Sequence, residues 1–373
     1  MEVNISHGGV GTWDNYGKIT ENDLINAQNQ FNLVQNKFNK RINLRKKHLH
    51  RLAKEYAEGN LVFILGSGVC LRNGLPDWNL LLQRLLLKIE FAEIDSEIKS
   101  EFLSKIFNNV FKPNQLMAAR YIKKHSKNKE LENSVSFEEL VRKTLYEGSN
   151  QYPNPLYEEI LQFCVGHRDP KIDSIITYNY DDILENHFSA KGIPYCSIYK
   201  EGVHPSRREF PIYHVHGFLP KEGELPKDCG LILSEDMYHH RYTESYNWSN
   251  LLQINKFADK TCLFMGFSLE DPNSRRLLDI AAKQRGNSNK THYIIKKKIG
   301  PEKIETRLRC LLEDDKLFDE KVQQRFKFID LVQRMIFLQE KFLEDDALSF
   351  GIETIWIDDY EEIPDLLRVI RKD

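Results

Sequence analysis

No apolar run in this sequence is long enough to cross a bilayer, and its start, MEVNISHGGVGTWDN, has neither the basic region nor the apolar stretch of an export signal. A membrane-spanning or exported chain is therefore not expected, and the reading is cytosolic. A dominant charge is lacking too: 53 Lys and Arg face 55 Asp and Glu, for a formal net charge of -2. General nucleic-acid binders show a basic excess, so direct nucleic-acid binding is not expected. Paired cysteines are missing as well. Cys70, Cys164, Cys196, Cys229, Cys262 and Cys310 are scattered, so no C-x-x-C pair is present to hold a structural zinc, and in a reducing compartment they are most simply core or surface thiols.

What is present is apolar enough for a large core. The 373 residues are 41% hydrophobic, which allows one large domain with insertions or two domains. Leu61 to Leu65 form an unbroken apolar run of strand length, suited to the centre of a parallel sheet covered on both faces. Gly66 and Gly68 end it. Lacking a Cβ, they permit a tight turn and a close approach of backbone N–H groups to a diphosphate, and Leu80 to Leu87 reads as the following helix. No third glycine completes a dinucleotide fingerprint, so this G-x-G is equally an ordinary strand-turn-helix corner. Three further strands end in polar groups: Ile175 to Asp181, Ile212 to Gly217 and Cys262 to Ser268. Polar residues at the carboxyl ends of four strands describe a ligand site along one edge of an open α/β sheet.

These four stretches resemble the sirtuin family of NAD-consuming enzymes. The family's Gly-Ala-Gly-Ile-Ser turn is similar to Gly66-Ser67-Gly68-Val69-Cys70, and its Gly-Ile-Pro-Asp-Phe to Gly74-Leu75-Pro76-Asp77-Trp78. Thr-Gln-Asn-Ile-Asp resembles Thr177-Tyr178-Asn179-Tyr180-Asp181, the catalytic His-Gly resembles His216-Gly217, and Gly-x-Ser resembles Gly266-Phe267-Ser268. The order along the chain is the family's own. Two departures stand out: the zinc ribbon of the deacylases is absent, and the Arg that follows their Pro-Asp-Phe is Asn79 here. Both are similar to the bacterial sirtuin-like branch that hydrolyses NAD+ during phage infection.

The resemblance implies NAD+ as substrate, without zinc. It assigns Gly66, Ser67, Gly68, Pro76, Asp77, Trp78, Thr177, Gly266 and Ser268 to the cofactor contacts, Asp181 to the carboxamide, and Asn179 to the ribose and a water. It makes His216 the base. Two other readings stay open, a protein deacylase and a non-catalytic nucleotide-binding subunit.

The implied fold is α/β: a Rossmann-like parallel sheet of about six strands with helices on both faces, a helical insertion over about 80–166 and a helical excursion over about 302–348. Residues 1–56 read as a glycine-rich mobile arm followed by a helical extension, and 57–373 as the catalytic domain. Within the extension, the basic run Lys37 to Lys54 has no interleaved aromatic platform and is expected to be a solvated helix face. Helices are expected over Leu80 to Phe91, Ile98 to Phe111, Leu116 to Ser126 and Ser136 to Tyr146, and strands over His292 to Lys296 and Gly351 to Ile357. Asp169 to Asp173 reads as a turn.

An Asp opening a helix is often only a cap, a role that fits Asp182 better than Asp181. His214 and His216, two apart on one expected strand, would share a face. Without a third ligand they hold zinc poorly, and His214 stays unassigned. His239, His240 and Arg241 are expected on the surface. The helical extension and the lack of a recognisable sensor domain lead us to expect a homo-oligomer, and docking onto a second defence protein such as a HerA-type ATPase.

Overall fold

Four strands end in one row, and that row places the site. The structure, a computed structural model, describes residues 41, 44–90, 115–126, 136–150, 153–165, 172–244, 246–286, 291–312 and 328–372. The expected mobile arm, the helix over Ile98 to Phe111 and most of the turn before Asp173 lie outside these residues.

The strands are β1 (Leu61–Leu65), β2 (Ile172–Thr177), β3 (Tyr195–Ile198), β4 (Phe210–His214), β5 (Thr261–Met265), β6 (His292–Lys297) and β7 (Ile352–Ile357). They form one sheet in the order β3-β4-β2-β1-β5-β6-β7, with every pairing parallel. This is the expected Rossmann-like architecture with seven strands rather than six. The additional one, β3, is a four-residue edge strand, YCSI, that is mostly half-buried. Covered less than the central strands, it needs no unbroken apolar run and gives little signal in the sequence.

The strands expected to run to Asp181, Gly217 and Ser268 stop at Thr177, His214 and Met265. Their ladder partners end there: Leu65 pairs with both Thr177 and Met265, and Thr177 pairs with His214. Beyond that row the chain turns.

The helices are α1 (44–57), α2 (Trp78–Glu90), α3 (Gln115–Ser126), α4 (Phe137–Leu145), α5 (Pro155–Cys164), α6 (Ile183–Ala190), α7 (Glu235–Thr243), α8 (Trp248–Asp259), α9 (Pro272–Arg285), α10 (Pro301–Leu312), α11 (Phe328–Ser349) and α12 (Ile363–Lys372). Every residue of β1 is buried, because its alternate side chains enter different cores. Leu61, Phe63 and Leu65 pack with α1, α5, α6 and α12, and Val62 and Ile64 with α8, α9 and the end of α11. A third core joins α2, α3 and α4 to Cys70, Leu219 and Leu231, and so builds the helical insertion over the turn after β1.

Asn154 caps α5 by accepting from Leu156 N, with Pro155 in the first turn. Its amide also donates to Val69 O and Asn73 Oδ1, which ties the insertion to that turn.

Arg45–Asp373 forms one compact unit, which takes in part of the helical extension expected before residue 57. The reason is packing: Leu49, Leu52 and Ala53 of α1 are buried in the main core. The basic residues of α1 are in part solvated, as expected. Arg45, however, pairs with Glu362 at 2.7 Å, and His48 Nε2 lies 2.6 Å from Glu353. His239, His240 and Arg241 belong to α7; the two histidines are exposed, as expected, while Arg241 is half-buried and donates to Ser249 Oγ.

Candidate functional site

The chain goes from β1 to β2 on one side and returns through β5 on the other, so the sheet reverses its order between β1 and β5. Ligands bind open α/β sheets at such a switch point. Here the two turns interlock. Gly66 N donates to Met265 O and Gly68 N to Gly266 O, both at 3.0 Å. A Cβ on Gly66 would lie 2.5 Å from Gly266 O, and one on Gly266, whose φ is +62°, would lie 2.5 Å from Val69 N.

These glycines therefore let two backbones touch. The expected diphosphate cradle is largely committed elsewhere, because the N–H groups of Gly66, Gly68, Val69 and Cys70 all donate to main-chain carbonyls. The turn continues through two short 3-10 helices, Ser67–Val69 and Leu71–Asn73, before α2 begins at Trp78. Asp77 accepts from Leu80 N at 2.8 Å and caps that helix.

The loop after β2 is anchored from both neighbours. Tyr178 N donates to Leu65 O, and the Asn179 side chain donates to Gly66 O at 3.1 Å. Asp181 Oδ1 accepts from Ile183 N at the start of α6. The helix-opening bond expected of Asp182 is therefore made by Asp181. Asp182 instead accepts from the Tyr146 hydroxyl and from Lys221 N. Burial pushes the Asp181 carboxyl up to about 6, with Glu185 adding to the rise and the Ile183 N–H and His214 opposing it. Burial, and then Asp181 beside it, pushes the Cys70 thiol well up.

His216 lies past the end of β4, so it does not share a strand face with His214. His214 is drawn to Glu185, whereas His216 packs edge-on against Tyr178 and Tyr238, with ring centroids at 4.7 and 5.8 Å. Its Nε2 is buried, has no hydrogen-bond partner, and lies 3.7 Å from Asp271 Oδ2. Burial lowers the His216 pKa, with the Asp271 carboxylate acting against the shift and Arg241 reinforcing it. Asp271 is fixed twice, by the Tyr238 hydroxyl at 2.7 Å and by capping α9 at Ser274 N.

The Ser268 turn is held from below by Lys296, which donates to Ser268 O. It leads into Leu269, a non-glycine residue at φ +65° whose carbonyl accepts from Arg275.

One cavity of about 290 Å³ brings together Gly66, Ser67, Pro76, Asp77, Trp78, Asn179, Asp181, His216, Gly266 and Ser268. Gly68 and Thr177 do not line it; the Thr177 hydroxyl instead accepts from Asn179 N. Sequence reasoning missed Tyr178, Tyr238, Glu270 and Asp271, which also line the cavity. Asp271-Pro272-Asn273 reads in sequence as a helix start, and it is one. The signal for its second role is a tertiary contact. Among the described residues, the lining holds four carboxylates and no Lys or Arg, with Asn79 standing where the family's Arg would be.

A SIR2-like domain matches residues 173–317. The chain is 30% identical over 162 residues to the NAD(+) hydrolase ThsA of Enterococcus faecium, covering 43% of this chain and 29% of that protein. It is 22% identical over 327 residues to the NAD(+) hydrolase ThsA of Acinetobacter baumannii, covering 87% and 55%. It is also 22% identical over 321 residues to the NAD(+) hydrolase ThsA of Bacillus cereus, covering 85% and 55%. The chain thus spans about half, or less, of the length of these relatives. A solved Sir2 enzyme structure aligns over 87% of this chain and 97% of its own at 13% identity, with a TM-score of 0.35. The chain thus resembles SIR2-like domains over residues 173–317 and is similar to bacterial NAD(+) hydrolases.

Proposed function

We propose that the chain hydrolyses NAD+ at the nicotinamide–ribose bond, releasing nicotinamide and ADP-ribose, and that the resulting loss of NAD+ serves anti-phage defence. The observation that carries this reading is His216 Nε2, a buried and unpaired ring nitrogen in the same cavity as Asn179 and Asp181. An imidazole kept from its usual protonation is suited to accept a proton. In the reaction the C–N bond breaks, its electron pair leaves with nicotinamide, and positive charge develops on the ribose. Carboxylates in a lining without Lys or Arg among the described residues favour that charge. Water then bonds to the ribose carbon, and its proton passes to His216 and on to solvent. Asn179, fixed to Gly66 O, orients the ribose and the water, Asp181 holds the carboxamide, and Ser67 and Ser268 lie on the wall toward the diphosphate. A cavity of about 290 Å³ is at the small end of ligand pockets, which suits enclosure of the nicotinamide–ribose half.

Nicotinamide release should fall as pH drops through about 6, where the Asp181 carboxylate takes up a proton. Burial lowers the His216 pKa from its ordinary value, which favours its free-base form. A rate profile flat from pH 5 to 8 would contradict these roles. Offering an acyl-lysine peptide beside water distinguishes hydrolysis from deacylation: the proposal expects ADP-ribose whether or not the peptide is present.

Chelation should change neither the rate nor the thermal midpoint. Among the described residues, no group of three or more His, Cys, Asp or Glu could hold a metal ion. Stoichiometric zinc found by elemental analysis would overturn that expectation. Regulation belongs to the same proposal, with assembly into a homo-oligomer and onto a second defence protein such as a HerA-type ATPase. A monomer by light scattering under all conditions, fully active alone, would sink it.

A further inference from the structure

His214, the last residue of β4, has no place in the chemistry above, yet it is enclosed and bonded at both ring nitrogens. Nε2 lies 2.6 Å from Glu185 Oε1 on α6, and Nδ1 lies 3.2 Å from the main-chain oxygen of Asn179. Ser197 Oγ, from the edge strand β3, donates to the same Glu185 oxygen at 2.9 Å. A carbonyl on one nitrogen and a carboxylate on the other call for two N–H donors, which is the imidazolium form. Burial opposes that charge, but Glu185, and then the Asn179 carbonyl, outweigh it and hold the His214 pKa above its ordinary value.

A buried ion pair is a poor stabiliser, because desolvation offsets most of the attraction and apolar side chains could fill the same space. This pair touches the main chain of a residue whose side chain lines the cavity, two positions from Asp181.

We infer that His214, braced by Glu185 and Ser197, is a positioning residue for the reaction: its imidazolium fixes the carbonyl of Asn179 and sets a positive charge beside the Asp181 carboxylate. The inference rests on the hydrolase reading for its kinetic consequence but not for its electrostatic one. Around Asp181 stand Cys70 from the first turn, Tyr146 from α4, Tyr157 from α5, Asp182 and Glu185 from the start of α6, and His214. His214 is the cation of this set. Without it, the attraction between the imidazolium and the Asp181 carboxylate would be lost, and Asp181 would take up its proton at higher pH.

The test is His214→Gln, which keeps an N–H donor and much of the volume but removes the charge. It is read by carboxyl carbon-13 NMR of labelled aspartate, with the Asp181 signal assigned through Asp181→Asn, alongside kcat and KM. The Asp181 midpoint, about 6 in the wild type, should rise by about one unit, since an opposite charge nearby typically depresses a carboxyl by ~1–3 units. The kcat should fall by about 10- to 100-fold, as for lost supporting contacts elsewhere, with KM little changed. An unmoved midpoint, or an unchanged kcat with the acid limb of the rate profile in place, overturns the inference. If the wild type released no nicotinamide, the hydrolase reading would fail while the NMR titration still decided the role of His214. Should His214→Gln not fold, Ser197→Ala replaces it. A smaller change in the same direction supports the inference, and wild-type kcat and midpoint contradict it.

Discussion

His216→Ala should lower nicotinamide release by about 10²- to 10⁴-fold, the usual loss when a positioned base is removed. Asn179→Ala should be comparably inactive. The structure gives the two losses different origins. His216 offers a buried nitrogen with no competing partner, so its removal deletes the proton acceptor. Asn179 bridges β2 and β1 through Gly66 O, so its removal frees the loop that carries Asp181. NAD+ binding, measured by calorimetry, should persist in both variants, because both residues act at the ribose. His214→Ala should be milder than His216→Ala, because His214 acts through Asn179 rather than on the substrate. A His216→Ala enzyme with normal kcat beside an inactive His214→Ala would reverse the assignment of the two histidines.

Gly66→Val should destabilise the protein before it affects binding. Its Cβ would meet the Gly266 carbonyl at 2.5 Å and Phe267 at 3.0 Å, and backbone cannot move aside as a side chain can. Overpacking typically costs about 1–3 kcal/mol, and a branched side chain set against main chain belongs at or beyond the upper end. Gly266→Ala adds left-handed strain at φ +62° to the same clash. Thermal unfolding should show a drop of several degrees for each variant. A Gly66→Val protein with the wild-type midpoint and only a raised KM would mean that this glycine serves the diphosphate, as its motif alone implies, and not the contact between the two turns.

The parts of this site legible in the sequence are those made by local chain. Apolar runs such as Leu61 to Leu65 and Cys262 to Met265 mark central strands, and the polar residues after them mark one edge of a sheet. The register that aligns Met265, Leu65, Thr177 and His214 then carries Gly66, Asn179, His216 and Ser268 to one cavity. Illegible were the parts made by distant chain. β3 at the edge has no continuous apolar signal. Asp271 reads as the cap of α9 and becomes a neighbour of His216 only through the packing of Tyr238. The same limit applies to His214: H-x-H places both histidines on one face only while the strand continues, and β4 ends between them. At Gly66 and Gly68 the missing Cβ signals space, and the sequence alone does not say whether a ligand or the Gly266 backbone takes it.

In the proposed reaction water receives the ribose. That step is tested most directly by incubating NAD+ with the purified protein, without any acyl donor, and separating the products by chromatography. The wild type should give nicotinamide and ADP-ribose in equal amounts, and His216→Ala about 10²- to 10⁴-fold less of both over the same time. Intact NAD+ after prolonged incubation with the wild type, or nicotinamide appearing only when an acyl-lysine peptide is supplied, would contradict it.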